Sequence, residues 1–340
     1  MVKCHRCGKP AVYTNRISGI SLCKQHFIEY FERKVRKTIR KYNMIDPDDS
    51  VLVGVSGGKD SMALLHFLLK LRKKMPRLII VAVSVDEGIS GYREKTILNL
   101  VNYARVHNVE YIVASFRDYI GATLDEVVKV SSEKGLPYLP CSYCGVFRRH
   151  VLNIVARKIG ATVIATAHNA DDVVQTYLMN LVNNSWDRIF SLSPVRTSSE
   201  EFVVKRVKPF YKTLEKESAL YAILNGLVQL EYIQCPYAKY NVRFTIRKML
   251  NELEDKYPGS KYGLLQSLLE IIRLRGSQIT KKYTKCIVCG NPSSHSVCKA
   301  CLFRALLGLL SPEEEKTVLE AAKTDPAVSR ALSVKLVQKH

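Results

Sequence analysis

A chain of 340 residues has room for one large domain plus small modules. Its 52 Lys and Arg outnumber 31 Asp and Glu, and the net charge of +21 suits a polyanionic partner, nucleic acid first among candidates. No apolar run reaches the roughly 18–20 residues of a membrane span, and Cys4 and Cys7 stand where an export signal would carry its apolar core. A cytoplasmic protein with no membrane attachment is expected.

Residues 1–26 contain Cys4-x2-Cys7 and, fifteen residues on, Cys23-x2-His26. Four soft ligands in two doublets suit one tetrahedral zinc ion, whose binding folds a segment too small for its own core. Residues 27–50 form a basic linker. Within it Phe27 to Asn43 reads as a helix with an apolar stripe of Phe27, Phe31, Val35, Ile39 and Tyr42. Lys34, Arg36, Lys37, Arg40 and Lys41 crowd its other faces, as a solvated surface or an RNA contact.

Residues 51–275 read as the main domain. Val51 to Val55 is a β-branched, buried strand, Ser56-Gly-Gly-Lys-Asp60 a tight turn, and Ser61 the opening of an apolar-periodic helix. Gly57 and Gly58 bring backbone N–H groups close to an anion. The helix N-terminus adds partial positive charge and Lys59 a full one. The turn is thus a phosphate cradle, though without the Walker spacing. Strands at Leu78–Val85, Val109–Ala114 and Ala161–Thr166 alternate with helices at Tyr92–His107, near Leu124–Ser132, and from Asp171 to Val182. This succession predicts an α/β fold with a doubly wound parallel sheet. Its ligands would lie beyond the carboxyl ends of the strands. Three such ends carry suggestive residues: the Ser56 loop, Ser84-Val-Asp86, and Thr166-Ala-His-Asn-Ala-Asp-Asp172. Residues 208–275 read as mainly helical, with Glu215–Asn225 and Arg243–Tyr257 clearest and Pro258-Gly-Ser-Lys261 as a break.

Residues 276–303 hold Cys286-x2-Cys289-x8-Cys298-x2-Cys301, a second four-ligand zinc pattern. Residues 304–340 form a helical tail, with a start near Pro312 and a break at Asp325-Pro326. The ten cysteines leave Cys141, Cys144 and Cys235 outside both zinc sets. Cysteine pairs two residues apart in a chain read as intracellular point to metals rather than disulfides.

The Cys-x2-Cys…Cys-x2-His module, the Ser56–Ser61 loop, Cys141-Ser-Tyr-Cys-Gly145, His168-Asn-Ala-Asp-Asp172, Cys235-Pro-Tyr237 and the closing four-cysteine ribbon occur in one order. In that order they resemble the TtuA-type tRNA 2-thiouridine synthetases and their wobble-uridine relatives, over about residues 3–301. The resemblance implies a PP-loop enzyme that cleaves ATP to AMP and pyrophosphate, adenylates the C2 oxygen of a tRNA uridine, and replaces it with sulfur. Implied cofactors are ATP, Mg²⁺, two Zn²⁺ and a [4Fe–4S] cluster held by Cys141, Cys144 and Cys235 with its fourth iron open. Gly54, Val55, Ser56, Gly57, Gly58, Lys59, Asp60, Ser61, Val85, Ala167 and Asp172 would line the nucleotide, and Asp172 and Arg148 would join the cysteines in catalysis. Asp60 is read either as an orienter of loop or metal or as a helix N-cap. His168 is read first as a packed strand-end residue. The implied partners are tRNA and, as sulfur donor, a ubiquitin-like carrier ending in a thiocarboxylate or free sulfide. A homodimer is left open.

Two positions depart from the family pattern. Arg148 stands where TtuA-type enzymes have Lys, and an Arg cannot give up its proton, so charge stabilisation remains while proton shuttling does not. Ala167 replaces a usual Gly beside the nucleotide. Arg148-Arg149 and Asn169-Ala-Asp-Asp-Val173 are closer to the wobble-uridine relatives. Ile89-Ser-Gly-Tyr92, Glu231-Tyr-Ile-Gln-Cys-Pro-Tyr237 and Pro258-Gly-Ser-Lys261 are closer to TtuA, which favours uridine 54 over uridine 34. The rival readings are a sulfur-free PP-loop ligase, a zinc-ribbon RNA-binding protein with an inactive ATP fold, and transfer by a persulfide on Cys144 or Cys235. From the two ligand sets, protein purified without chelator is expected to hold two equivalents of zinc, and Cys289→Ser to lower thermal stability and tRNA affinity together. Elemental analysis returning fewer than two equivalents would refute the ligand sets.

Overall fold

Alternation along three neighbouring strands decides the architecture. In the computed structural model, which describes residues 2–227, 235–240, 242–275 and 283–333, Val51 and Val53 face one core and Leu52 the other. Ile80 and Ala82 oppose Val81 and Val83 in the same way, and Val163 and Ala165 oppose Ile164. Strands apolar on both faces need cover on both, and parallel strands obtain it from their crossover helices. Of the segments read above, residues 228–234, 241, 276–282 and 334–340 lie outside the described residues.

The chain begins with β1 (Tyr13–Thr14), β2 (Ser21–Leu22) and α1 (Lys24–Lys41), and enters the sheet through β3 (Ser50–Gly54). Then follow α2 (Lys59–Arg72), β4 (Ile79–Asp86), α3 (Arg93–His107), β5 (Glu110–Ser115), α4 (Phe116–Ile120), α5 (Leu124–Glu133), α6 (Pro140–Lys158), β6 (Val163–Thr166) and α7 (Ala170–Val182). Next come α8 (Trp186–Phe190), β7 (Val195–Arg196), β8 (Lys205–Val207), α9 (Glu215–Leu224), α10 (Arg243–Lys256) and α11 (Ser260–Arg275). The C-terminal part has β9 (Thr284–Lys285), β10 (Pro292–Ser293), α12 (Lys299–Leu307), α13 (Pro312–Thr324) and α14 (Pro326–Leu332). Among the described residues the central sheet runs β5-β4-β3-β6-β8-β7, parallel except for the edge strand β7. The doubly wound parallel sheet expected from the sequence is present. No helix of the described residues is long and apolar enough to cross a membrane.

Two elements differ from the sequence reading. The phosphate-loop helix starts at Lys59 rather than Ser61, because Gly58 takes the extended N-cap position. Asp60 therefore lies in the first turn and is not the N-cap. The long helix α6 had no counterpart in the reading. Pro140 looks like a breaker, yet it occupies the first helical turn, where its missing N–H costs nothing.

One core holds α1, α2 and α9 against the sheet, and the other holds α6 together with α12 and residues of α13 and α14. A polar node joins the N-terminal module to the first. Glu217, 1% exposed, accepts from Tyr13 Oη at 3.0 Å, Tyr30 Oη at 3.3 Å and Lys34 Nζ at 2.6 Å. It also accepts from the Leu214 N–H at 2.8 Å. Lys34, read as part of a solvated basic face, instead turns inward, and Arg36 pairs with Glu32 at 3.3 Å. Removing one partner of a buried pair strands the other charge, at a cost of about 3–5 kcal/mol. Glu217→Ala is expected to lose that much in denaturant unfolding, and a loss below about 1 kcal/mol would show that the node does not hold the module.

Candidate active site

The parallel register brings the carboxyl ends of β3, β4 and β6 to one side of the sheet. Gly54 ends β3, Val55 is buried behind it, and Ser56 to Gly58 form the loop. Gly57 has φ +81°, and a Cβ there would lie 1.9 Å from the Thr96 carbonyl oxygen. Only glycine fits that approach. The buried Ser61 hydroxyl braces the turn, accepting from the Ser56 N–H at 3.1 Å and donating to the Gly58 carbonyl at 2.9 Å. From the other side Arg93 Nη1 donates to the Ser56 carbonyl at 3.1 Å and Asn99 Nδ2 to that of Gly57 at 3.3 Å. The loop is rigid before any anion arrives.

Charge is arranged around it in pairs. Lys59 Nζ donates to Asp60 Oδ2 at 2.7 Å and to Glu215 Oε1 at 2.9 Å. Burial opposes its charge, but these two carboxylates outweigh burial and hold its pKa above the usual lysine value. Glu215 also takes both oxygens to Arg247 Nη2, at 2.9 and 3.0 Å. Asp60 accepts from the Ser218 hydroxyl. Asp171 is buried, with Lys261 Nζ at 2.5 Å and the Glu215 N–H at 2.7 Å. Asp172 forms a capping box with Asn169 and lies 3.6 Å from Arg243 Nη1. Burial, then the charge of Asp60, pushes the Asp172 carboxyl up to about 6. Asp60, Asp172 and Glu215 offer hard oxygen donors without closing around a point. That suits Mg²⁺, which keeps several waters and binds through substrate phosphates. Val85 is buried, and its carbonyl accepts from Arg93 Nη2 at 2.6 Å. Ala167 is partly buried against the α2 side of the sheet.

The central cysteines lie within electrostatic reach of one another but do not converge within 4.8 Å as the other two sets do. Cys141 and Cys144 stand in the first turns of α6, and Cys235 immediately precedes the turn Pro236–Tyr240. Cys141 Sγ lies 3.9 Å from the Tyr237 carbonyl oxygen. Cys144 is pushed up to about 11, first by burial and then by Glu87, Cys141 and Cys235, against the opposing effect of Arg148. Burial also raises Cys235. Three thiols that feel one another, with no fourth cysteine, suit a polynuclear cluster better than a single ion, since a cluster holds its ligands further apart. By contrast Cys4/Cys7/Cys23/His26 and Cys286/Cys289/Cys298/Cys301 each converge within 4.8 Å, the spacing of a tetrahedral ion.

Arg148 is half exposed, with Nε 3.6 Å from Glu87 Oε1. Glu87 is 3% exposed, and its other oxygen lies 2.6 Å from Arg93 Nε. His168 lies at the cleft rim, with Nδ1 2.9 Å from Thr166 Oγ1. Desolvation, then Lys208, Arg148 and Arg243, pushes it down to about 3, so the ring is neutral. Sequence reasoning missed Glu87, Arg243 and Arg247 as site residues, and it read Glu215 only as a helix start. Glu87 follows Ser84-Val-Asp86 directly, so a strand end read one residue longer reaches it. Nothing local marks Arg243 or Arg247.

A PP-loop domain model matches residues 28–252. A model for the N-terminal LIM domain of the 2-thiouridine synthetase TtuA matches residues 3–28. The chain is 34% identical to a tRNA-5-methyluridine(54) 2-sulfurtransferase of Pyrococcus horikoshii, over 90% of this chain and 94% of that one. It is 33% identical to cytoplasmic tRNA 2-thiolation protein 1 of Saccharomyces cerevisiae, over 99% and 93%. Among solved structures, the U34-tRNA thiolase NcsA from Methanococcus maripaludis, described with its [4Fe–4S] cluster, superposes with a TM-score of 0.77 at 34% identity. That match covers 92% of this chain and 98% of the other. The chain belongs to the PP-loop family, in the branch that holds NcsA and the TtuA-type tRNA 2-sulfurtransferases.

The two glycines of the loop separate geometry from chemistry. Gly57→Ala is expected to cost at least about 2 kcal/mol of stability through left-handed strain and overpacking, and to abolish ATP binding. Gly58→Ala, whose Cβ would meet only Ser56 Oγ at 3.6 Å, is expected to fold normally. Lys59→Ala and Ser61→Ala are expected to weaken binding of a non-hydrolysable ATP analogue at least tenfold in calorimetry and leave tRNA binding largely intact. Unchanged analogue affinity in both variants would overturn the site.

Proposed function

We propose that this chain is an ATP-dependent tRNA 2-thiolation enzyme. The observation that carries the reading is a run of ionisable side chains across the carboxyl end of the sheet. It runs from Asp60 through Asp172, Arg243, His168 and Arg148 to Cys144, each within electrostatic reach of the next. A phosphate loop and a thiol cluster at the two ends of one cleft are what adenylation followed by sulfur insertion requires. The names of the relatives agree with that chemistry.

The uridine C2 oxygen attacks the α-phosphorus of ATP and pyrophosphate leaves. A sulfur nucleophile then adds at C2, and AMP departs with the original oxygen, with no net oxidation. The loop N–H groups and Lys59 hold the phosphates, with the α2 N-terminus favouring their charge. Asp60, Asp172 and Glu215 would hold Mg²⁺ against them. Arg148, permanently cationic, offsets negative charge as the tetrahedral centre forms at C2. Cys141, Cys144 and Cys235 would hold a [4Fe–4S] cluster, which when bound supplies an iron lacking a protein ligand and able to carry sulfide. The two other cysteine sets would hold Zn²⁺. A ubiquitin-like thiocarboxylate or sulfide would supply the sulfur, in the cytoplasm.

Uridine 54 is the favoured target, on the Ile89–Tyr92 and Pro258–Lys261 stretches. The second reading, uridine 34, is favoured by Arg148-Arg149. Nucleoside analysis of tRNA from a deletion strain decides between them by the position that loses its 2-thiouridine. Anaerobic reconstitution is expected to give four irons per chain. Cys141→Ser, Cys144→Ser and Cys235→Ser are each expected to lose both iron and thiolation. Full thiolation by iron-free protein supplied with ATP and sulfide would refute the cluster route.

A further inference from the structure

The edge of the sheet next to the cleft concentrates positive charge that, among the described residues, has no ion-pair partner. In the antiparallel pair β7–β8, Arg196 lies directly opposite Arg206, a like-charge pair that by itself destabilises a sheet. Arg206 Nη2 donates to the Arg149 carbonyl at 3.2 Å and to Asn153 Oδ1 at 2.7 Å. Lys208 Nζ donates to the carbonyls of Leu192 and Ser193, at 3.3 and 2.6 Å. Arg196 rests on the Tyr283 ring, 5.4 Å from its centroid, and Lys299 lies 4.6 Å from that of Phe303. Arg188 is exposed on α8. Among the described residues none of these six cations has a carboxylate within ion-pair distance. Carbonyl oxygens and rings fix Arg196, Arg206, Lys208 and Lys299, so their charge is left without a carboxylate partner.

The field shows in their ionisation. Burial, then Arg149 and Arg196, lowers Arg206 to about 10, and burial, then Arg196 and Arg206, lowers Lys208 to about 8. Beside them stands Trp186, the single tryptophan of the chain, 44% exposed and stacked on Phe190 at 6.4 Å. An exposed aromatic ring beside spaced cations is the makeup of a surface that takes a phosphodiester backbone and stacks a base.

We propose that Arg149, Arg188, Arg196, Arg206, Lys208 and Lys299, with Trp186, form the track on which the RNA backbone flanking the target nucleotide lies. The track starts at Arg149, next to Arg148 of the cleft, and runs through β7–β8 and α8 to the C-terminal module. An RNA strand held there presents one base to the cleft once that base leaves its stack. The proposal rests on the thiolation reading and assigns it a surface.

The test measures binding of an unmodified tRNA transcript to the full-length protein across a salt series. Arg188 and Arg196 are exposed, so R188E/R196E should fold, and unchanged affinity for a non-hydrolysable ATP analogue confirms it. The control is K73E/K74E, the same charge change beyond the other end of α2. The patch variant is expected to bind tRNA at least tenfold more weakly, with a log–log salt slope smaller by about 1.5–2, and the control within about twofold of wild type. In wild type, tRNA is expected to quench Trp186 fluorescence saturably. If wild type binds tRNA but the patch variant matches the control and Trp186 is not quenched, the track is wrong and the thiolation reading stands. If wild type binds no tRNA, the thiolation reading itself fails.

Discussion

A carboxylate stripped of water stays ionised only where hydroxyls and cations replace the lost hydration. At Glu217 the replacements come from Tyr13 in the N-terminal module, Tyr30 and Lys34 of α1, and the Leu214 N–H at its own helix start. The same turn of α9 carries Glu215, which holds Lys59, and Ser218, which holds Asp60. One helix end thus fixes the metal-binding module on one side and the phosphate loop on the other. The two are adjacent because neither Glu217 nor Lys34 tolerates burial without the other.

The cleft repeats that logic with a different balance. Near the phosphate loop each cation has a carboxylate: Lys59 with Asp60 and Glu215, Arg247 with Glu215, Lys261 with Asp171. An incoming triphosphate must replace these internal anions at Lys59, which favours a ligand of high charge. Toward the cysteines the balance tips to positive, with Glu87 shared between Arg93 and Arg148. Thiols pushed up by burial bind protons until something better arrives, and a metal site is such a competitor.

Much of this was legible because local signals agreed. The strand, glycine turn and helix around Ser56–Ser61 each pointed to the same loop, and cysteine spacing sorted ten residues into three sets. What escaped depended on distance or on an ambiguous residue. Pro140 and Gly145 mask a helix that the sequence reading left unassigned, yet one starts it and the other lies within it, where a Cβ would meet Arg149. Lys34 read as solvated because its partner Glu217 lies 183 residues away. Arg243 and Arg247 sit on a helix whose periodicity reports its buried face and is silent about what its polar face reaches.

The core on the α6 side mixes residues made early and late. Leu52, Val81 and Ile164 share it with Val297, Phe303, Val318 and Val328, and Phe303 packs on Tyr143 at 4.6 Å. Among the described residues the opposite core has no buried member later than Leu227. A ribosome delivers the chain from its N-terminus, so the face behind the phosphate loop can close while the other still lacks its cover. The face of helix α6 that carries Tyr143 and Phe147 is therefore among the last parts to be shut in. Truncation at the C-terminus would uncover that face and spare the nucleotide loop, and the growing chain has an interval in which its aromatic rings can still be reached from outside.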